Sequence, residues 1–200
     1  MNRWAMWIGG LAVLTLIAGE ICVRQRNEMV RRNEQMKQTW SQVDVQLQRR
    51  ADLIPNLAAT VKGYAQHEET VFGNVAAARS ALLNARTPAD RIAANAQIDG
   101  GLGRLLAISE GYPQLKANEN FLELQDELEG TENRIAVARL RYNLSLRDYN
   151  AYIRLFPNNL VARWSGFQSN DVYFAAQAGA AQAPQIDFQF PAGQVAAPAH

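Results

Sequence analysis

The chain begins with an unbroken apolar run, Trp4 to Val23 (WAMWIGGLAVLTLIAGEICV), in which Glu20 is the only charge. Twenty residues of helix rising 1.5 Å each span about 30 Å, the thickness of a hydrocarbon core. No Ala-x-Ala site follows the run, so an uncleaved transmembrane anchor over residues 1–23 is expected rather than a signal peptide. The pattern then becomes periodic. Trp40, Val43, Leu47, Ile54, Leu57, Val61 and Tyr64 recur at spacings of three and four, or at multiples of them, with Arg50 at the seam position between Leu47 and Ile54. This predicts a helix from Arg24 to about Tyr64, bent at Pro55 and stopped near Gly63. A second helix is predicted over 68–85, with Val71, Phe72, Val75, Ala78 and Leu82 on one face. A third is predicted over 89–110, opened by Pro88. The longest seam steps from Phe121 through Leu128, Ile135, Tyr142 and Tyr149 to Phe156, and ends at Pro157.

These lengths predict an all-α fold, an N-terminal transmembrane helix followed by an antiparallel four-helix bundle with two long and two shorter helices. The bundle is expected over 24–167. Residues 168–200 are rich in Ala, Gln and Pro and read as a flexible tail, with a docked strand or tether through Val172, Tyr173, Phe174, Ile186, Phe188 and Phe190 as the alternative. Gly100, Gly101 and Gly103 lack the Lys-Ser/Thr ending and preceding strand of a phosphate loop. They read instead as points of close helix approach, with the run Ala76-Ala77-Ala78 as the expected neighbour.

Charge narrows the function. Twenty basic against nineteen acidic residues leave a net +1, without the broad positive footprint of a nucleic-acid binder. One cysteine, Cys22, excludes an internal disulfide, and two histidines, His67 and His200, exclude a histidine-rich metal site. No cofactor is expected. Arg24, Arg26, Arg31, Arg32 and Lys37 follow the apolar run, whereas Arg3 alone precedes it. The positive-inside rule therefore predicts a single-pass protein with its bundle in the cytoplasm.

Arg50 is expected to pair with the carboxylates of residues 126–132, which antiparallel packing brings opposite it. Glu132, Asn133, Arg139 and Asn143 lie on adjacent turns and extend this predicted polar network. Six carboxylates between Glu119 and Glu132 allow an alternative, a membrane-tethered hydrolase. A solvated face is the commoner meaning of such a run. Ser41, Ser80, Ser109 and Ser145 have no histidine nearby in sequence, so nucleophilic catalysis is unsupported, and no catalytic residue is assigned. Membrane lipids are expected to meet Trp4, Trp7, Arg24, Arg26, Arg31, Arg32, Trp164 and Phe167. For residues 157–167 two alternatives stand, an interfacial helix or an aromatic cap on the core. The stretch Arg24–Gln38 extends beyond the reach of the two short helices, which predicts a homo-oligomer covering the uncovered pair.

The run Trp40 to Leu57 (WSQVDVQLQRRADLIPNL), the following Val61–Glu68, and Tyr112–Ala117, Asn120-Phe121, Leu124-Gln125, Thr131–Ile135, Ala138-Arg139, Tyr142-Asn143, Tyr149-Asn150 and Phe156-Pro157 resemble the LemA family over about residues 4–168. The resemblance implies a bacterial inner-membrane protein with a short outer N-terminus, a cytoplasmic helical body and no established activity or cofactor. It also implies, by gene neighbourhood in some bacteria, a membrane metalloprotease as a partner in envelope quality control. A structural or adaptor role is the expectation.

Overall fold

A computed structural model describes residues 3–175. Six helices follow one another: α1 (Arg3–Lys62), α2 (Glu69–Asn84), α3 (Pro88–Glu110), α4 (Pro113–Lys116), α5 (Glu119–Arg154) and α6 (Asn158–Ser165), with no strand among the described residues. The all-α expectation holds. The apolar run and the first amphipathic seam form one helix, because no proline or glycine punctuates the stretch from Ile21 to Leu53. Trp4 and every residue from Met6 to Arg24 are exposed, and the first buried side chain is Met29.

Within α1, Pro55 has no N–H to offer the carbonyl of Ala51 four residues earlier. That oxygen is taken instead by Arg79 of α2, whose Nε donates at 2.9 Å. A proline that ordinarily weakens a helix here frees an acceptor that ties α2 to α1.

α1 and α5 make the most extensive helix pair. They run antiparallel, as the cross-links Thr39–Ser145 (2.7 Å), Arg50–Glu132 (2.7 Å) and Tyr64–Asn118 (3.1 Å) show. Between them lies a core of Val43, Leu47, Ile54, Leu57 and Val61 against Phe121, Leu128, Ile135, Tyr142 and Leu146, all buried. α2 and α3 pack on each other and on α1. Arg91 of α3 reaches Asp44 of α1 at 2.8 Å. Helix starts follow local chemistry: the Thr87 hydroxyl accepts from the Asp90 N–H at 3.1 Å ahead of α3, and Asn118 Oδ1 accepts from the Phe121 N–H at 3.0 Å ahead of α5.

Three expectations need correction. Of the three glycines of α3, only Gly101 marks a close approach: a Cβ there would lie 3.1 Å from Val75 Cγ2, whereas Gly100 and Gly103 face open space. The neighbour is Val75, one residue ahead of the alanine run. α4, a single turn opened by Pro113, was not expected.

The third correction concerns the boundary at 167/168. Residues beyond it dock on α5 through two asparagines. Asn150 donates to the Asn170 carbonyl (2.6 Å) and accepts from its N–H (3.0 Å); Asn143 does the same for Phe174 (2.8 and 3.0 Å). Seven helical residues cover about 10 Å and four extended residues about 13 Å, so a returning extended segment meets both amides in turn. Tyr149 Oη adds a bond to the Gln168 carbonyl at 2.9 Å. Phe174 then stacks on Trp40 (5.8 Å) and meets Tyr142 edge-on (5.9 Å). The chain itself therefore covers the α1–α5 pair from Trp40 and Tyr142 to Asn150, whereas a second copy was expected along Arg24–Gln38. Ile186, Phe188 and Phe190 lie outside the described residues.

Candidate functional site

The most concentrated polar group in the body surrounds Arg50. Its position in the seam places a guanidinium where α1, α3 and α5 converge, and it is 7% exposed. Nη1 lies 2.6 Å from Asp99 Oδ1 and 2.7 Å from Glu132 Oε2, and donates to Asn95 Oδ1 at 3.2 Å. Asn95 turns its amide nitrogen to Asp99 Oδ2 at 3.2 Å, which fixes the carboxylate that faces Arg50. Arg139 approaches the other Glu132 oxygen at 3.9 Å. Arg50 Nε is buried without a hydrogen-bond partner among the described residues. The arrangement carries two carboxylates against one fully buried and one partly buried arginine, so most of its charge is matched locally.

Glu132 is thus the member of the 126–132 group that reaches Arg50, while Glu127 pairs with exposed Arg49 at 3.1 Å. Asp99 and Asn95 come from α3 and were not foreseen. Asn133 and Asn143, expected in this network, stand elsewhere. Asn133 lines a separate groove with Gln42, Gln46 and Arg134, and Asn143 holds the returning segment.

A cleft of ≈ 470 Å³ opens beside Arg50, lined by Asp99, Leu102, Leu106, Leu128, Glu129, Glu132 and Arg139 among others. Its carboxylates do not form a pair free of arginine, the arrangement a general acid and base would need. Among the described residues no group of three or more His, Cys, Asp or Glu side chains is disposed to hold a metal ion. Of the serines considered, Ser109 gives its hydroxyl to the Leu106 carbonyl and Ser145 to the Tyr142 carbonyl.

The second group lies where α1 leaves the apolar run. Trp4 and Trp7 are exposed, as are Arg24 and Arg26. Arg24 pairs with Glu20 one turn earlier, and Arg31 forks onto Glu28 with two 2.7 Å bonds. The Arg31 hydrogen bonds hold the Glu28 carboxyl below its usual range, against the opposing effect of burial. Arg32, expected at the headgroups, instead turns toward the body: it bonds Glu28 at 2.8 Å and lies 4.6 Å from the centre of the Tyr152 ring.

α6 folds over the end of α5, with Asn158 Nδ2 donating to the Tyr152 carbonyl at 3.0 Å. Val161 and Ala162 are buried and Phe167 is half-buried against the core, so Phe167 is a cap residue and not a lipid-facing one. Trp164 is 83% exposed and Leu160 57%, so these two do not cap anything. The two alternatives for residues 157–167 divide between the two sides of one short helix.

One helix of the described residues is long and apolar enough to cross a membrane, and it lies near the N-terminus. The chain is similar to the magnetosome protein MamQ 2 of Paramagnetospirillum magneticum, 26% identical over 200 residues that cover 87% of this chain and 73% of that protein. MamQ of Magnetospirillum gryphiswaldense is 27% identical over 196 residues, 84% of this chain and 72% of the relative. Protein LemA of Metamycoplasma hominis is 26% identical over 168 residues, 84% and 74% of the two chains. The family model for LemA matches residues 39–188, well over half of the sequence, and the chain belongs to the LemA family.

Proposed function

We propose that this is a membrane-anchored structural or adaptor protein without catalytic activity, whose helical body self-assembles beside the bacterial inner membrane. The observation that carries this is the single helix α1, which presents an exposed apolar run at one end and a buried core seam at the other. A hydrophobic stretch of that length has no stable place in water, and its exposure in the isolated chain is what a lipid-facing helix requires. The arginines after the run support a cytoplasmic body. The relatives named as magnetosome proteins support work at a membrane, and the metalloprotease link remains one of family association.

Self-assembly is supported by the outer face of α5. Val137 (48% exposed), Leu140 (60%) and Leu144 (41%) recur at three and four residues and form an apolar stripe that stays exposed among the described residues. Anchoring in a plane raises the effective concentration of such stripes without any new contact. The alternative, a tethered hydrolase, has less support, because Asp99 and Glu132 are engaged by Arg50.

The test has two arms. Full-length protein is expected to stay in the membrane fraction after alkaline carbonate washing, and cysteine crosslinking from Leu140→Cys is expected to give dimers in native membranes, with Cys22→Ser to remove background. Release by carbonate refutes the anchor. Absence of crosslinks, with a monomer mass in mild detergent, refutes self-assembly.

A further inference from the structure

The end of the body nearest the span carries an apolar ridge that the core does not use. Leu155 (61% exposed), Phe156 (80%), Leu160 (57%) and Trp164 (83%) lie in the turn after α5 and on the outer side of α6. Aromatic and leucine side chains this exposed, grouped at one end of a body whose other large apolars are mostly buried, mark a contact surface.

The antiparallel register fixes the height of that ridge. Continuing the pairing of Thr39 with Ser145 and Arg50 with Glu132 sets Leu155 and Phe156 beside residues 26–29 of α1. Arg32 over Tyr152 confirms the level. Residues 26–29 lie three to six residues past Val23, or about 5–9 Å along the helix, against about 5–8 Å for the headgroup layer on one side of a bilayer. α6 packs on both α1 and α5 at this end and so shares the level. Exposed Arg26 and Arg163 flank the ridge. Tryptophan beside arginine, above leucine and phenylalanine, is the composition that settles at the headgroup boundary.

We infer that Leu155, Phe156, Leu160 and Trp164 rest on the surface of the bilayer that holds α1, so that α6 is a second, interfacial membrane contact. The occupant is phospholipid, because the ridge lies close above the apolar run of α1 and level with its headgroup crossing. The inference rests on α1 being an anchor. It makes the body touch the membrane at two places, the span and α6, and so sets its rotation about α1.

Single-tryptophan versions of the full-length chain in phosphatidylcholine and phosphatidylglycerol vesicles test this. One keeps Trp164 (Trp4→Phe, Trp7→Phe, Trp40→Phe), one keeps Trp7 and one keeps Trp40. Lipid brominated near the top of its acyl chains is expected to reduce Trp164 emission roughly by half, and lipid brominated near the methyl end to reduce it less. Trp7 should be quenched and core-facing Trp40 spared. Unquenched Trp164 with quenched Trp7 overturns the inference and leaves the anchor standing. A blue-shifted but unquenched Trp164 assigns the ridge to a protein partner and overturns it equally. Loss of quenching at Trp7 as well overturns anchor and inference together.

Discussion

Replacing Arg50 by methionine keeps most of the stem that fills the seam and removes the guanidinium between Asp99 and Glu132. Breaking a buried ion pair from one side ordinarily costs about 3–5 kcal/mol, because the abandoned charge stays buried. Here the abandoned groups are not equally enclosed. The Asp99 side chain is 21% exposed and that of Glu132 is 43% exposed, so water reaches the second far more easily. Arg139 also remains near Glu132. Solvent screening on that side lowers the expected loss to about 2 kcal/mol, most of it from Asp99. The loss traces to carboxylates left charged once the guanidinium is gone. Neutralising all three groups, Arg50→Met with Asp99→Asn and Glu132→Gln, should therefore recover most of the loss. Denaturant unfolding of the full-length protein in detergent, followed by circular dichroism, measures both. A loss below about 0.5 kcal/mol for the single substitution, or a triple variant weaker than the single one, refutes the structural role assigned to this pair.

Removing both clamps, Asn143→Ala with Asn150→Ala, deletes five hydrogen bonds to the returning segment and should cost about 1–2 kcal/mol per site. Chymotrypsin should then cut after Tyr173 and Phe174 much faster; unchanged resistance by mass spectrometry would show that the segment is held otherwise. Pro55→Ala restores the helix donor to the Ala51 carbonyl, so Arg79→Met should cost less in that background than in the native chain. A double-mutant cycle with no coupling refutes the link between the proline and Arg79. Burial pushes the phenols of Tyr142, Tyr149 and Tyr152 above the ordinary value of 10.0. Unfolded tyrosines ionise first, so stability is whole below about pH 10 and is lost as pH rises through the folded values. Absorbance of tyrosinate should rise together with loss of helix, and three phenols titrating freely in the folded protein would contradict the burial.

Much of the fold was legible because a seam at three and four residues states which side of a helix is buried, and Trp40 to Val61 and Phe121 to Tyr149 state it without a break. Arg50 was legible for the same reason, as a charge in an apolar series. Its partner Glu132 followed from antiparallel pairing alone. Asp99 and Asn95 did not, because the register of α3 against α1 depends on side-chain packing such as Gly101 against Val75, which periodicity does not encode. The docked segment was hidden by its composition. Its signal was present on α5, where Asn143 and Asn150 stand seven residues apart with both amide groups available, and in Phe174, which fits between Trp40 and Tyr142. The ridge was half legible. Pattern placed Leu160, Val161, Trp164 and Phe167 toward one side, and packing turned Val161 and Phe167 inward.

That α1 runs without interruption from Arg3 to Lys62 has a geometrical consequence. With α1 spanning a bilayer as proposed, the helix rises about 60 Å from Arg24 to Lys62, so the tip where Tyr64 meets Asn118 stands at a set height above that bilayer. Every copy in one membrane shares that height. Two bodies that drift together already have their α5 stripes at the same level, and only sliding in the plane and turning about the membrane normal remain to be searched. Encounter becomes a problem in two dimensions, and a small stripe such as Val137, Leu140 and Leu144 is enough to act in it.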